Sequence, residues 1–168
     1  DENISHKLAT GSALLFASIE LHDVAMTCKC QTGHENPLGS WQWKMQEMID
    51  HCYRWYKINY DSNYCAYDAL WLKPTRVSTQ VKSFKRISDL CTGGHKHVTL
   101  RGKTRVSGKL VTWTSVASPY PRKWATAYAT DVTDWSMLEV ARRQDVELVS
   151  KDWFVHAAAI AILNSDHV

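Results

Sequence analysis

The sequence predicts a mixed α/β or α+β domain that ends in helices. Segments with a helical spacing of apolar residues alternate with short segments of strand-like alternation, and only helical patterns follow residue 121. Apolar residues fill 45% of the 168 positions and include eight Trp, which is sufficient for a packed core. Because no apolar run approaches the roughly 20 residues that span a bilayer, we predict no membrane span.

The amino-terminal third predicts two helices with a strand between them. The first helix covers 4–22, where Ser5 is a candidate cap. A strand is predicted over 24–30. The second helix begins at Ser40 and ends near residue 56, because an apolar stripe continues along it at Trp41, Met45, Met48 and Cys52.

The middle of the chain predicts a series of short strands. Polar and apolar residues alternate over 57–67, 76–81, 98–101 and 110–114. Ser107-Gly108 predicts a tight turn before the last of these strands. Pro74 disfavours a helix at Lys73 and therefore separates the first two strands.

The carboxyl end predicts helices over 122–130, 133–143 and 151–163. Pro121 suits the first turn of the first of them. The charge character of the chain changes near Asp131. We therefore predict an α/β domain over 1–130 and a helical extension over 131–168.

Charges are separated along the chain. Residues 73–123, here called the basic segment, contain twelve Lys or Arg and a single acid, Asp89. The remaining residues hold eight Lys or Arg against sixteen acids. Clustered cations repel one another, and a polyanion is their usual partner because neutralised phosphates release counterions. The basic segment therefore predicts contact with DNA, RNA or an acidic protein surface, and the alternative is a solvated charged face.

Basic side chains flank the predicted tight turn, and Trp113 and Tyr120 lie nearby in the sequence. Cations combined with aromatic rings suit phosphate contact and base stacking. The residues that we predict to bind nucleic acid are Arg76, Lys82, Lys85, Arg86, Arg101, Lys103, Arg105 and Lys109.

The densest group of potential metal ligands extends from Cys91 to His97. Thiolate and imidazole are the ligands that zinc prefers, and a closed structural site needs four of them. Because alternate residues of an extended chain share a face, His95 and His97 are predicted to point the same way. We predict a zinc site formed by Cys91, His95 and His97, with a fourth ligand from Cys65, Cys28 or Cys30. The alternative is a polar loop with one buried thiol.

Five cysteines form an odd number without regular spacing. This usage favours an intracellular reducing compartment, in which thiols are free or bound to metal. Because the chain begins at Asp1 rather than at a methionine, we expect a fragment or a processed product.

Glu35-Asn36-Pro37 is a second candidate site. A carboxylate and an amide shortly after a predicted strand lie where α/β sheets place ligand-binding groups. Glu35 is therefore predicted to hydrogen-bond a base edge or a small ligand. The alternative is a turn that leads to the cap at Ser40.

Eight short motifs occur in a defined order within residues 5–129: Leu15-Phe16, Glu35-Asn36-Pro37, Ser40-Trp41, Tyr64-Cys65-Ala66-Tyr67, Lys73-Pro74-Thr75-Arg76, Cys91 through His97, Leu100-Arg101-Gly102 and Tyr120-Pro121. This order resembles the second half of the catalytic domain of DNA (cytosine-5) methyltransferases. It resembles more closely the divergent methyltransferase-like domains of some eukaryotic retroelement and algal open reading frames.

The resemblance implies a Rossmann-like sheet fragment, with S-adenosylmethionine as cofactor only if the other half of the domain is present. It also implies catalytic roles for Glu35, against the ring nitrogen of a target cytosine, and for Arg76. The chain departs from the family because it has neither a Phe-x-Gly-x-Gly cofactor loop nor a Pro-Cys nucleophile. Asp68 also stands where the relatives have glycine.

Three functions are therefore open. The first is a methyltransferase-like domain that contacts nucleic acid through the basic segment and is not active alone. The second is a structural subunit of a large assembly that docks by the same basic face. The third is half of a split or longer DNA methyltransferase, which would flip its target base out of the stack.

Overall fold

The computed structural model describes residues 2–143, which form two compact units. The first unit contains residues 2–60 with Thr75–Lys82, and the second contains Asp61–Pro74 with residues 83–143. Helices and small antiparallel sheets confirm the predicted mixed α/β class. Across 2–143, no helix has both the length and the apolar character needed to cross a membrane. The helix predicted over 151–163 lies outside the described residues.

The first unit contains two helices and most of a three-stranded sheet. Helix α1 spans Glu2–Thr27, and α2 spans Gln46–Arg54 after a 3₁₀ turn at Trp41–Lys44. The sheet has the order β1-β3-β2, with β1 at Gly33–Pro37, β2 at Ile58–Asn63 and β3 at Pro74–Thr79. Strands β1 and β3 are antiparallel. The first unit buries Leu15, Met48, Val77 and Val81.

Two predictions for the first unit are wrong. Residues 24–27 continue α1 instead of starting a strand, because no Gly or Pro lies between residue 22 and the left-handed residue Lys29, whose φ is 60°. Glu35-Asn36-Pro37 ends strand β1 instead of forming a turn, and Pro37 is tolerated there because β1 is an edge strand. The cap at Ser40 is confirmed, since its side chain accepts a hydrogen bond from Gln42 N, but it caps the 3₁₀ turn.

The second unit is built around an aromatic cluster. Helix α4 spans Arg122–Arg143, and the rings of its Trp124 and Tyr128 stack with centroids 5.5 Å apart. This contact follows from their spacing, because residues four apart lie on one helix face. Trp124 Nε1 also donates to Ser62 Oγ at 3.1 Å. Buried side chains complete the cluster at Tyr64, Phe84 and Ile87.

The second unit also contains a hairpin, here called the ribbon, made of β4 at Lys103–Val106 and β5 at Lys109–Thr112. Its two-residue connection confirms the turn predicted at Ser107-Gly108. A short helix, α3 at Trp113–Val116, follows it. The strand predicted over 98–101 does not form, and that segment is irregular.

One helix replaces two predicted ones at the carboxyl end. The helices predicted over 122–130 and 133–143 are the continuous helix α4. Thr133 does not start a helix, because its hydroxyl donates to Ala129 O at 2.8 Å within an unbroken turn. The boundary predicted near Asp131 lies inside α4.

Candidate metal centre and basic surface

Four potential metal ligands meet in the second unit: Cys65, Cys91, His95 and His97, here called the Cys/His cluster. Their ligand atoms all lie within 4.8 Å of one another. Cys91 Sγ is 3.5 Å from His97 Nε2 and 3.8 Å from His95 Nε2. A tetrahedral zinc ion, with bonds of about 2.3 Å to sulfur and about 2.0 Å to nitrogen, separates such ligands by roughly 3.6 Å. The donor atoms and their spacing therefore fit Zn²⁺.

Cys65 lies in a 3₁₀ turn at Tyr64–Tyr67. Asn63, directly before this turn, hydrogen-bonds the segment that contains Asp89 and Cys91. Asn63 N donates to Asp89 O at 3.0 Å. Asn63 Oδ1 accepts from Cys91 N at 2.8 Å. These two bonds fix the backbone around Cys91 next to the turn that carries Cys65.

Tyr67 holds the same segment from the other end of the turn. Its hydroxyl accepts from Asp89 N at 3.0 Å and donates to Arg86 O at 2.8 Å. Burial raises the pKa of Tyr67 to about 12, so the phenol keeps the proton that it donates at neutral pH. Hydrogen bonds between side chains and the backbone therefore hold Cys65 and Cys91 close together.

Two glycines shape the loop that carries His95 and His97. Gly93 and Gly94 have φ angles of 78° and 76°, which residues with a Cβ rarely adopt. Gly93 O accepts from His95 Nδ1 at 3.0 Å, and Gly93 N donates to Cys91 Sγ at 3.4 Å. Because Nδ1 of His95 donates, its Nε2 carries the lone pair that faces Cys91, which is the tautomer that a metal requires.

An open cleft of about 350 Å³ adjoins the cluster and is lined in part by Cys65, Asp89 and Cys91. Burial, followed by the neighbouring Cys91 thiol, raises the pKa of the Cys65 thiol. The Cys65 thiol therefore retains its proton until a cation displaces it. Four protein ligands leave no open position on a tetrahedral ion, which is typical of a structural centre rather than a catalytic one.

The structure brings together the three ligands predicted from sequence and adds Cys65 as the fourth. Cys28 and Cys30, the other candidates, belong to the first unit. Sequence reasoning missed Asn63 and Tyr67, which orient the cluster without being ligands. Their only sequence signal is that each lies two residues from Cys65.

The basic residues predicted to bind nucleic acid are divided between the units. Arg76 and Lys82 belong to the first unit, and the other six to the second. Arg86 is engaged in ion pairs, since its Nη1 lies 2.8 Å from Asp131 and 2.7 Å from Asp134. The other five residues of the second unit, here called the unpaired cations, are exposed and form no ion pair within the described part of the chain: Lys85, Arg101, Lys103, Arg105 and Lys109. Lys82 of the first unit is likewise exposed and without an ion pair there.

Glu35 and Arg76 do not share a face of the sheet. In the pairing of β1 with β3, Arg76 lies opposite Asn36, so Glu35 is one residue out of phase with it. Because paired residues share a face and successive residues alternate, Glu35 and Arg76 point to opposite faces. Glu35 Oε1 accepts from Thr75 Oγ1 at 2.8 Å, whereas the Arg76 guanidinium lies 5.8 Å from the centre of the Trp43 ring. The structure therefore does not bring the two predicted catalytic residues together.

Comparison of this chain with protein-family models, with curated proteins and with solved structures finds no match. The resemblance to methyltransferases stays a hypothesis that rests on the eight short motifs. Function has to be inferred from the geometry of each unit.

A second polar cluster, the histidine network of His22, Asp23, His51 and Lys57, lies in the first unit and was not predicted. The His51 side chain is 1% exposed, and its Nδ1 donates to Asp23 Oδ1 at 2.8 Å. Lys57 Nζ donates to His22 Nδ1 at 3.2 Å. Burial, followed by the charge of Lys57, lowers the pKa of His22 to about 4, and burial lowers the pKa of Lys57 to about 8. No motif signals this network, because its members come from α1, α2 and the residues after α2.

Proposed function

We propose that the second unit is a zinc-held module that binds nucleic acid and has no catalytic role of its own. The observation that supports this most strongly is the set of unpaired cations. They lie in or beside a stretch, from Leu90 to Thr130, that contains no acidic residue. Self-repulsion makes such a set unfavourable in isolation, whereas phosphates make it favourable.

Zinc would cross-link the irregular segment that covers residues 80–102. Residues 80–102 contain no helix or strand, and no residue from 88 to 102 is buried. A cross-link would stabilise one conformation of an irregular segment of that length, because ordering its backbone costs entropy. A metal on the Cys/His cluster would join Cys65 to the loop of 91–97. The ribbon begins shortly after that loop, so the same metal would fix its base.

The proposal predicts strongly salt-dependent binding to nucleic acid. Each neutralised phosphate contributes about −0.9 to the slope of log K against log salt on duplex DNA. Engagement of three to five of the unpaired cations therefore predicts a slope of roughly −2.7 to −4.5. Fluorescence anisotropy of a labelled duplex, titrated across a salt series, measures this slope. If no binding occurs at the lowest salt, the basic segment is instead a docking face for an acidic protein within an assembly.

A charge-reversal pair identifies the surface that binds. Lys103→Glu with Arg105→Glu should weaken binding by at least about tenfold and flatten the salt slope. The matched control is Lys7→Glu with Lys44→Glu, which changes the net charge equally at exposed positions outside the basic segment. Equal weakening by both pairs would mean that only the overall charge matters.

Zinc itself is tested by metal analysis of the purified chain. We expect one zinc ion per chain, which is lost in Cys91→Ser and in His97→Asn. Cys28→Ser and His6→Asn should retain it, since neither residue belongs to the Cys/His cluster. A full zinc content in Cys91→Ser would exclude the cluster as the site.

We propose also that the methyltransferase-like motifs are retained here without catalysis, as a remnant of a Rossmann-like domain. The opposite orientation of Glu35 and Arg76, and the lack of a Pro-Cys pair in this sequence, support the lack of catalysis. A Rossmann-like sheet is mostly parallel, so the antiparallel pairing of β1 with β3 would be a departure from the parent fold. Calorimetry with S-adenosylmethionine should give no heat of binding, and saturable binding would favour half of a split methyltransferase instead.

A further inference from the structure

We infer that the ribbon enters the major groove of duplex DNA and contacts base edges there, an inference that rests on the proposed function. Nucleic-acid binding by charge alone needs no defined shape. The ribbon, however, has a defined shape, an exposed face of mixed chemistry and a fixed base.

The shape of the ribbon follows from its turn. Ser107 and Gly108 have φ angles of 48° and 80°, so both turn residues are left-handed. Two such residues form the tight turn whose twist matches that of the strands, and Val106 then pairs directly with Lys109. The two strands lie about 4.8 Å apart. A ribbon of this width, with its side chains, fits the B-DNA major groove of about 12 Å, which admits two-stranded ribbons.

One face of the ribbon combines cations with an exposed leucine. Lys103 and Arg105 are two residues apart and therefore share a face, and Leu110 shares it as the cross-strand partner of Arg105. Leu110 is 61% exposed. An arginine donates two parallel hydrogen bonds to O6 and N7 of guanine, and an apolar side chain contacts the methyl group of thymine. This face therefore offers both kinds of base-edge contact.

The opposite face and the base of the ribbon suit phosphate contact. Lys109 lies on the opposite face, and Arg101 precedes the ribbon, so cations are available to both walls of a groove. Trp113 N donates to Gly102 O at 3.2 Å, which extends the hydrogen bonding of the two strands to their base. Thr112, the last residue of the ribbon, caps α3, because its Oγ1 accepts from Ser115 N at 3.1 Å. A ribbon fixed at its base loses less conformational entropy when it binds.

The same geometry favours DNA over double-stranded RNA. The major groove of A-form RNA is deep and narrow, and side chains on a protein element do not reach its bases. The inference therefore predicts a preference for DNA that phosphate contact alone does not provide.

The test compares a DNA duplex, an RNA duplex of the same sequence, and the DNA after partial methylation. Methylation of guanine N7 modifies the major groove, and methylation of adenine N3 modifies the minor groove. We expect DNA to bind at least about tenfold more tightly than RNA, and guanine methylation alone to interfere. Arg105→Ala should weaken binding by about tenfold. The control Lys44→Ala, at an exposed position outside the basic segment, should weaken it by less than about threefold. Zinc content and melting temperature show that each variant is folded.

Each outcome is decisive. Binding that is equal on DNA and RNA, and indifferent to guanine methylation, overturns the ribbon inference and leaves the proposed function intact. Interference by adenine methylation alone also overturns it, because the minor groove is then the site. Failure to bind either duplex overturns the ribbon inference and the proposed function together.

Discussion

The two units bury their polar groups differently. The first unit buries His51, Thr75, Ser78 and Thr79, and the protein itself supplies partners such as Asp23 for His51. The second unit buries mainly aromatic side chains, together with the carboxylate of Asp131 and the hydroxyl of Ser62. Residues 88–102 of the second unit have no buried member at all.

If the proposed function is correct, this difference separates a unit that folds without ligands from one that zinc and nucleic acid stabilise. The first unit pairs His51 Nδ1 and Lys57 by internal hydrogen bonds but leaves His51 Nε2 without a hydrogen-bond partner among the described residues, so its stability should respond to pH. The second unit contains an irregular segment and a set of unpaired cations, so its stability should respond to zinc and to polyanions. Each of the following predictions tests one side of this contrast.

The largest effect is expected from removal of zinc. A chelator should raise the rate of tryptic cleavage after Lys96 and Arg101 by at least about 100-fold, because residues 88–102 then become mobile. Structural zinc supplies much of the folding free energy of small modules. Limited proteolysis followed by mass spectrometry locates the cleavage sites. Lys29 in the first unit is also exposed and serves as the internal control, since its cleavage should not change. Equal cleavage at Lys96 with and without chelator would mean that the segment is ordered without metal.

A smaller effect is expected at the one carboxylate that the second unit buries within 5–141. Asp131 is 1% exposed and accepts from both Arg86 N and Arg86 Nη1 at 2.8 Å. Asp131→Ala should lower the free energy of unfolding by about 2–3 kcal/mol, because the backbone N–H loses a buried partner. Urea denaturation measures the change. Asp134→Ala is the matched control. It should lower the free energy of unfolding by less than about 1 kcal/mol, because the Asp134 side chain is 52% exposed. Similar losses in both variants would mean that the Asp131 contacts add nothing.

Local chemistry explains what could be predicted from the sequence. The candidate ligands Cys91, His95 and His97 lie within one heptapeptide, and the turn at Ser107-Gly108 follows from the backbone preferences of two residues. The strand predicted over 24–30 does not form, because extending an existing helix is favoured over the weak local preference of these residues for a strand.

Long-range pairing explains what could not be predicted. The choice of Cys65 over Cys28 and Cys30 depends on hydrogen bonds from Asn63 and Tyr67 to a segment more than twenty residues away. The opposite orientation of Glu35 and Arg76 depends on strand register, which a shift of one residue would reverse. Neither the partner nor the register is encoded in a short motif.

The smallest effect is expected in the first unit, as a dependence of stability on pH. Lys57 donates to His22 Nδ1, so the folded state requires a neutral His22 ring, whose pKa is lowered from 6.5 to about 4. Between these values the unfolded chain binds more protons than the folded chain, so stability falls as pH falls from 6.5 towards 4. We expect a loss of roughly 1–2 kcal/mol, after discounting the full linkage value for the part of the ring that solvent screens. Thermal melting across this pH range measures it.

The charged and titratable groups around His22 sharpen this prediction. Lys57, His34 and His51 all disfavour a proton on His22, and only Asp23 favours it. His22→Gln should therefore remove the His22 part of the acid sensitivity, while His34 and His51, whose pKa values burial also lowers, keep the rest. His6→Gln, at an exposed position of the same helix, should leave the acid sensitivity unchanged. The pKa of Lys57, lowered to about 8, adds a rise in stability between pH 8 and 10.5, where the unfolded chain again holds the extra proton. If the acid sensitivity instead disappears with zinc removal and persists in His22→Gln, the pH response belongs to the Cys/His cluster, and the contrast between the two units fails.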